Sequence, residues 1–231
     1  MMRLFHYPLS VQSRFVRLVL GECEVTPELV EERVWERRKE FLLLNPAGTL
    51  PVLLEHQGPP IVGAWAVSEY LDETRGFALN ERRLLPANAD QRAEVRRLSE
   101  WFLYKFDEEV TSYLVEEKVV KREKSKAGIS GGPPDSSLLR AARSNIRSHL
   151  HYVEHLISAK NWLAGDRMSY ADLAAAAGLS VADYLGEVPW QDVPDAKDWY
   201  MRMKSRPAFR PLRAETVRGH TPPEHYEKLD F

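Results

Sequence analysis

Near residue 88 the hydrophobic period of this chain changes, and that change dictates a two-part architecture. Before residue 80, apolar residues come in short runs bounded by turn residues: Arg3 to His6, Leu29 to Val34, Pro51 to Leu54, and Ile61-Val62 after a Gly-Pro-Pro turn. Runs this short, closed by Gly and Pro, read as strands. Between them, Phe15, Val16, Leu18 and Val19 sit at helical spacing, with Gly21 as the expected stop, and Ala66 to Thr74 reads as a further helix. From Asn88 the period is purely helical. Val95, Leu98, Phe102, Phe106, Val110 and Tyr113 recur at steps of three and four, which predicts one long helix to about Lys124. A Gly- and Pro-rich loop over 126–135 follows, and Asp135 is placed to cap the next helix, whose stripe runs from Leu138 to Ile157. Ser169 begins a third helix, and a fourth spans about Pro194 to Ser205. The expected fold is α/β plus all-α: a small α/β domain over 1–80, an all-helical domain over 88–213, and an extended tail over 214–231.

Charge and cysteine content narrow the function. Among 231 residues, 32 basic against 34 acidic side chains give a formal charge of −2, without the basic excess of a duplex-binding protein. No nucleic-acid partner is expected. A single cysteine, Cys23, rules out an internal disulfide, a CxxC redox pair and a cysteine-rich zinc site. The longest apolar stretch, Leu173 to Leu179, is too short to span a bilayer, and Met1 to His6 lacks a signal-peptide run. The expected setting is cytoplasmic, with no membrane insertion. His151 and His155 stand at i, i+4, but no third ligand follows, so no metal is expected.

Four segments then line up in order: Phe5-His6-Tyr7-Pro8-Leu9-Ser10-Val11-Gln12-Ser13-Arg14, Asn45-Pro46-Ala47-Gly48-Thr49-Leu50-Pro51-Val52-Leu53, Ala66-Val67-Ser68-Glu69-Tyr70-Leu71-Asp72-Glu73, and Gly165-Asp166-Arg167-Met168-Ser169-Tyr170-Ala171-Asp172. Together they resemble the glutathione S-transferase family. The resemblance implies a thioredoxin-like N-terminal domain with a cis proline at Pro51, and a helical C-terminal domain entered through a Ser169-x-x-Asp172 capping box. Within the family, the segments Trp35-Glu36-Arg37-Arg38, Asp183-Tyr184-Leu185-Gly186-Glu187-Val188, Ala196-Lys197-Asp198-Trp199-Tyr200 and Leu229-Asp230-Phe231 resemble a bacterial branch that binds the division GTPase FtsZ. That branch implies a homodimer, an FtsZ polymer as partner, no transferase activity and a place at the division site.

The family activates a thiol with a Ser, Tyr or Cys at the N-terminus of the first helix, where free N–H groups and the helix dipole favour a thiolate. Ser10 stands there and Ser13 is its neighbour. Two readings of Ser10 remain: a catalytic hydroxyl, or an N-cap. Leu50 and Pro51 are the positions from which the family's backbone holds a peptide-like ligand. Glutathione also needs its γ-glutamyl head clasped, which the family does with Glu-Ser before the third helix. Gly63 and Ala64 occupy those places. Losing two hydrogen bonds to charged groups forfeits about 3–6 kcal/mol, or two or more decades in affinity. The Pro-Phe that often follows the catalytic position is replaced by Val11-Gln12.

Two segments read as contact surface. Trp35 stands among charges in Glu31 to Glu40, and either anchors a partner, with Arg37 and Arg38, or folds back onto the small domain or a dimer interface. The tail presents Tyr226, Leu229, Asp230 and Phe231 either outward or along its own helical domain. Two functions are therefore expected in competition. One is a non-catalytic dimeric adaptor for FtsZ without a cofactor. The other is a glutathione transferase using Ser10, with substrate against the long helix near Tyr104 or Tyr113.

Overall fold

The computed structural model describes residues 2–230. Four short strands form one mixed sheet: β1 (Arg3–His6), β2 (Glu28–Glu31), β3 (Val52–Leu54) and β4 (Ile61–Val62), in the order β2-β1-β3-β4. β1 runs parallel to β2 and antiparallel to β3, with Phe5 opposite Val30 on one side and Val52 on the other. Side chains alternate across the pleat. Leu4 and Leu53 therefore face α1 (Val11–Glu22) and α3 (Ala64–Arg75), while Phe5 and Val52 pack on Phe41 of α2 (Lys39–Leu44). The charged sequence around α2 hides this short helix; only Phe41 is buried in it.

α1 begins earlier and ends later than its apolar spacing suggests. Gly21 lies inside the helix and is not its stop. A Cβ at Gly21 would come within 2.8 Å of the Ala208 Cβ, so glycine serves close packing between the two domains. The second strand stops at Glu31, and Val34–Glu36 forms a single 3-10 turn.

The long helix is present. Ala89–Glu100 continues through three π-helical turns (Trp101–Lys105, Asp107–Thr111, Glu116–Val120) to Lys121–Lys126, and the whole run, 89–126, is α4. Each π turn adds a residue to a turn and shifts the phase of the buried stripe. Leu114, rather than Tyr113, is consequently the buried residue at that level. α5 (Ser136–Ile157) is capped by Asp135, which accepts the Ser137 N–H. α6 (Tyr170–Tyr184) is buried over its whole length, and α1 and α4 pack against it. Four consecutive alanines and Gly178 let them approach; a Cβ at Gly178 would strike Phe106 at 2.8 Å. The predicted capping box is formed. Ser169 accepts from Ala171, and Asp172 accepts from the Ser169 N–H at 2.9 Å and from Trp199 Nε1 at 3.1 Å. α7 (Pro194–Lys204) and the short α8 (Arg210–Arg213) complete the helical part.

Residues 214–226 are not a free extended tail. Val217 N–H donates to the Tyr184 hydroxyl, which donates on to His220 O. His225 Nε2 meets Asp183 at 2.8 Å. Tyr226 is fully buried, edge-on to Tyr184. Its hydroxyl donates to Leu212 O and accepts from Arg14. Arg14, on α1, has no exposed surface. It donates to Pro8 O at 2.6 Å, to Ser180 Oγ and the Tyr226 hydroxyl at 2.9 Å each, and to Glu215 at 3.3 Å. One guanidinium thus joins the loop before α1, the central helix and the returning tail.

Removing one member of a buried charged network leaves its partners unsolvated and unpaired. Arg14→Ala should lower the unfolding free energy by about 3–5 kcal/mol in urea denaturation, and a loss under about 1 kcal/mol would contradict this account. His6 supplies a pH test. Burial first, then Arg17 and Arg14, hold its pKa down from 6.5 to about 3. The folded chain keeps His6 neutral while the unfolded chain protonates it, so stability declines as pH falls from 6.5 towards 3. Between those limits this group contributes up to about 1.4 kcal/mol per pH unit. His6→Gln should flatten the measured stability curve there by one proton's worth of slope.

Candidate functional site

β1 delivers the chain to Tyr7-Pro8-Leu9, and Ser10 then caps α1. The Ser10 hydroxyl accepts the Ser13 N–H at 3.2 Å and donates to Gln12 Oε1 at 3.2 Å. The capping reading of Ser10 is thus realised. Gln12 reaches across the domain boundary, donating to Leu103 O at 2.6 Å and to Asp107 Oδ2 at 3.0 Å. Burial holds the Asp107 carboxyl above the usual carboxylate range, against the opposing hydrogen bonds from Gln12 and Thr111.

A cleft of about 510 Å3 opens beside this turn. Ser10, Leu50, Gly63 and Ala64 all line it, so the structure brings these sequence-predicted positions together. Leu50-Pro51 is cis, as the resemblance implies, and Pro51 is buried beneath the cleft's edge. Gly63 has φ +92°, and a Cβ placed there would meet nothing within 4 Å. At the two positions where the resemblance implies an acid and a hydroxyl there are a hydrogen and a methyl group. Among the described residues lining the cleft, none carries a charge.

Ser13 does not belong to the cleft. It is fully buried, and its hydroxyl accepts the Tyr7 N–H at 3.3 Å. It holds the turn from below and cannot meet a ligand. Tyr104 lines the cleft, and Tyr113 is not among the lining residues. Five lining residues, Tyr7, Gln12, Val34, Gly48 and Thr49, escaped the sequence reading. Gln12 was visible only as a departure from the family's pattern. Tyr7 was visible only as an aromatic just after β1.

Trp35 turns inward. It stands edge-on to Tyr7, ring centroids 5.3 Å apart at 83°, and forms one wall of the cleft while remaining partly exposed. The 3-10 turn Val34–Glu36 and the left-handed Arg37 (φ 49°) carry it there. Trp35 thus packs on Tyr7 of the small domain and keeps part of its surface exposed. Arg38 is held by Glu32, donating at 2.7 and 3.1 Å, and Arg37 is exposed. Behind Trp35, Arg33 pairs with Glu31 at 2.8 Å and lies 3.4 Å from Glu123 of α4. The Tyr7 hydroxyl is buried beside that carboxylate without an aligned hydrogen bond, and burial and the Glu123 charge together push its pKa far up.

The tail residues divide. Tyr226, expected as a contact residue, is fully buried under the Arg14 network and is no surface. Leu229 and Asp230 are exposed, and Phe231 lies outside the described residues. A second cavity of about 460 Å3 lies between Asn80–Asn88 and Ala164–Ser169 and contains none of the predicted residues. Among the described residues no group of three or more His, Cys, Asp or Glu could hold a metal ion. No helix among them is long and apolar enough to cross a membrane.

Comparison with known proteins places this geometry. Residues 4–82 match the glutathione S-transferase N-terminal domain, and residues 130–207 the C-terminal domain. The chain is 46% identical over 231 residues to FtsZ-localized protein A of Caulobacter vibrioides, covering 99% of this chain and 97% of that protein. Among solved structures it is similar to a glutathione S-transferase from Sinorhizobium meliloti, at 55% identity with a TM-score of 0.95 and all of both chains covered. It is also similar to FzlA from C. crescentus, at 46% identity and a TM-score of 0.91, covering 100% of this chain and 99% of that one. With its four-stranded mixed sheet, its helical second domain and these matches across nearly its whole length, the chain belongs to the glutathione S-transferase family.

Proposed function

We propose that this protein is a non-catalytic, homodimeric adaptor that binds FtsZ filaments and acts in bacterial cell division, working in the cytoplasm at the division site. The observation that carries the reading is the uncharged cleft. Glutathione presents two carboxylates and an ammonium group, and a site for it must replace their hydration with ionic or hydrogen-bonding partners. Gly63 and Ala64 offer no such side chain, and the other lining residues add no charge. The fold is kept while the clasp is missing, which fits a scaffold that presents its outer surface. The 46% identity to FtsZ-localized protein A, over nearly the whole of both chains, supports FtsZ as the partner.

A two-fold dimer shows the same patch twice, so it can bridge or bend a polymer through avidity even when each contact is weak. Trp35 with Arg37, and the chain end at Leu229 and Asp230, are the contact residues in this reading; all are at least partly exposed. Arg38 supports the loop through Glu32 rather than meeting the partner first.

A second reading, glutathione transfer through Ser10, draws on one specific observation. The Ser10 hydroxyl lies at the N-terminus of α1 and lines an open cleft. Two measurements separate the readings. Calorimetry with reduced glutathione should give no binding heat at ligand concentrations of about 1 mM; saturable heat with Kd near 10 μM would restore the enzyme. Sedimentation with assembled FtsZ should carry the wild-type protein into the pellet, and Trp35→Ala should raise the Kd from a titrated pelleting series by a factor of about 5–30, as loss of an aromatic anchor worth about 1–2 kcal/mol. Wild-type protein that stays in the supernatant at micromolar concentration sinks the adaptor reading.

A further inference from the structure

β2 is an uncovered edge of the sheet. In the order β2-β1-β3-β4 it has a neighbour on one side only. Its register with β1 is parallel and unbroken, from Arg3 beside Glu28 to His6 beside Glu31, so the strand carries no bulge. Glu28 N–H donates to Met2 O at 2.9 Å and Glu32 N–H to His6 O at 2.8 Å. In a parallel ladder every second residue of a strand bonds to the same neighbour. Glu28, Val30 and Glu32 therefore direct their backbone groups at β1, and the N–H and C=O of Leu29 and Glu31 point away from the sheet. Neither of these two residues has a backbone partner among the described residues. Pro27, which has no N–H to offer, stands in the same outward phase. Leu29 is 44% exposed.

A groove of about 410 Å3 lies beside this edge. Val25, Pro27 and Leu29 form one wall, and Pro207, Ala208 and Pro211 form the other. Side chains alternate across the pleat, so Leu29 shares the face of Leu4, towards α1, and Glu28 shares the opposite face with Phe5. Arg17 also reaches the groove but is engaged by Glu215 at 2.6 Å. Between Arg17 and Arg33 the chain has five glutamates and no basic residue. Glu22 is held by Arg206 at 2.6 Å, Glu32 by Arg38 at 2.7 Å and Glu31 by Arg33 at 2.8 Å. Glu24 has only Arg82, at 3.9 Å. Glu28 is exposed, and its register neighbour Arg3 has its guanidinium 5.9 Å from the Phe5 ring centroid, with no ion pair joining the two.

We propose that the β2 edge docks an extended segment of a partner protein as an added strand, with an apolar side chain in the groove beside Leu29 and a lysine or arginine beside Glu28. This surface shares no residue with Trp35, Arg37 or the chain end, so the contact goes beyond the adaptor reading and stands independently of it. Backbone chemistry selects the occupant. Alternating outward N–H and C=O groups match the spacing of another strand, which is how peptides add to a sheet. The apolar walls beside Leu29 take up one alternate side chain of that strand, and the glutamate on the other face meets a cation. A second copy of this chain does not fit. Two β2 strands paired antiparallel about their centre would set Glu28 opposite Glu31 at both ends, and like charges so placed destabilise a strand pair.

The test is fluorescence anisotropy of the full-length protein with the fluorescein-labelled peptide Thr-Lys-Val-Val-Val-Lys-Thr. It should bind with a Kd below about 1 mM. Leu29→Pro spares the β1 ladder, because the N–H it removes faces outward, and should weaken binding by about tenfold. Leu29→Thr keeps that N–H but loses apolar bulk and should weaken it by about threefold. Glu28→Lys should cost a factor of about two to five. Leu43→Lys, at an exposed leucine of α2, should change it by less than about twofold. Thermal melts identify any variant that fails to fold. The wild-type protein is then titrated with the same peptide N-methylated at its valines, which should bind about tenfold more weakly or worse. No binding at about 1 mM peptide, full binding of the N-methylated peptide, an equal loss in Leu43→Lys, or self-association in analytical ultracentrifugation that Leu29→Pro abolishes would each overturn the proposal.

Discussion

The buried Arg14 guanidinium is the interaction on which the relative placement of the two domains depends. A charge with no exposed surface is tolerable only when its donors are matched. Arg14 offers five N–H donors in a rigid fork, and it finds a carbonyl, two hydroxyls and a carboxylate on three separate segments. Pro8 fixes the turn that leads to Ser10. Ser180 fixes the central helix. Tyr226 and Glu215 bring the last stretch of chain back against α1. Arg17 strengthens the same cluster, donating to Glu215 at 2.6 Å. A lysine could carry the charge but could not reach these directions at once.

With that clasp in place, Gln12 makes the second tie between domains, bonding to α4 within its π-helical region. The two ties lie on either side of the Ser10 turn, so the cleft keeps its width without a ligand to hold it. Its emptiness of charge is then a property of the walls. Ser10, the hydroxyl that a transferase would use, is engaged in helix capping and in orienting Gln12. The same bonds that shape the cleft occupy the group that would do chemistry in it.

Much of this was readable from the chain alone. The long helix, the Ser169–Asp172 box, the strand set and the Leu50-Pro51 turn carry local signals: period, capping pairs and Pro-bounded runs. The uncharged pair at Gly63 and Ala64 was readable because an expected residue type was missing. What escaped depends on distant partners. Gly21 looks like a helix stop until Ala208 is seen against it. Ser13 and Ser10 look equivalent in sequence, yet one faces the core and one the cleft. Tyr226, in a Pro-rich polar stretch, reads as exposed, because nothing local reveals that Arg14 waits for it across more than two hundred residues. Trp35 among charges reads the same way, although a left-handed Arg37 and the Tyr7 ring turn it inward.

The positive φ at Gly63 has an evolutionary consequence. An L side chain is strained in that conformation, so a mutation that merely introduces an acid there begins at a disadvantage, even though empty space awaits it. The backbone would have to relax out of the positive-φ region before a carboxylate there was free of strain. A charged side chain at this position therefore takes two coordinated changes, one in the residue and one in the backbone that carries it.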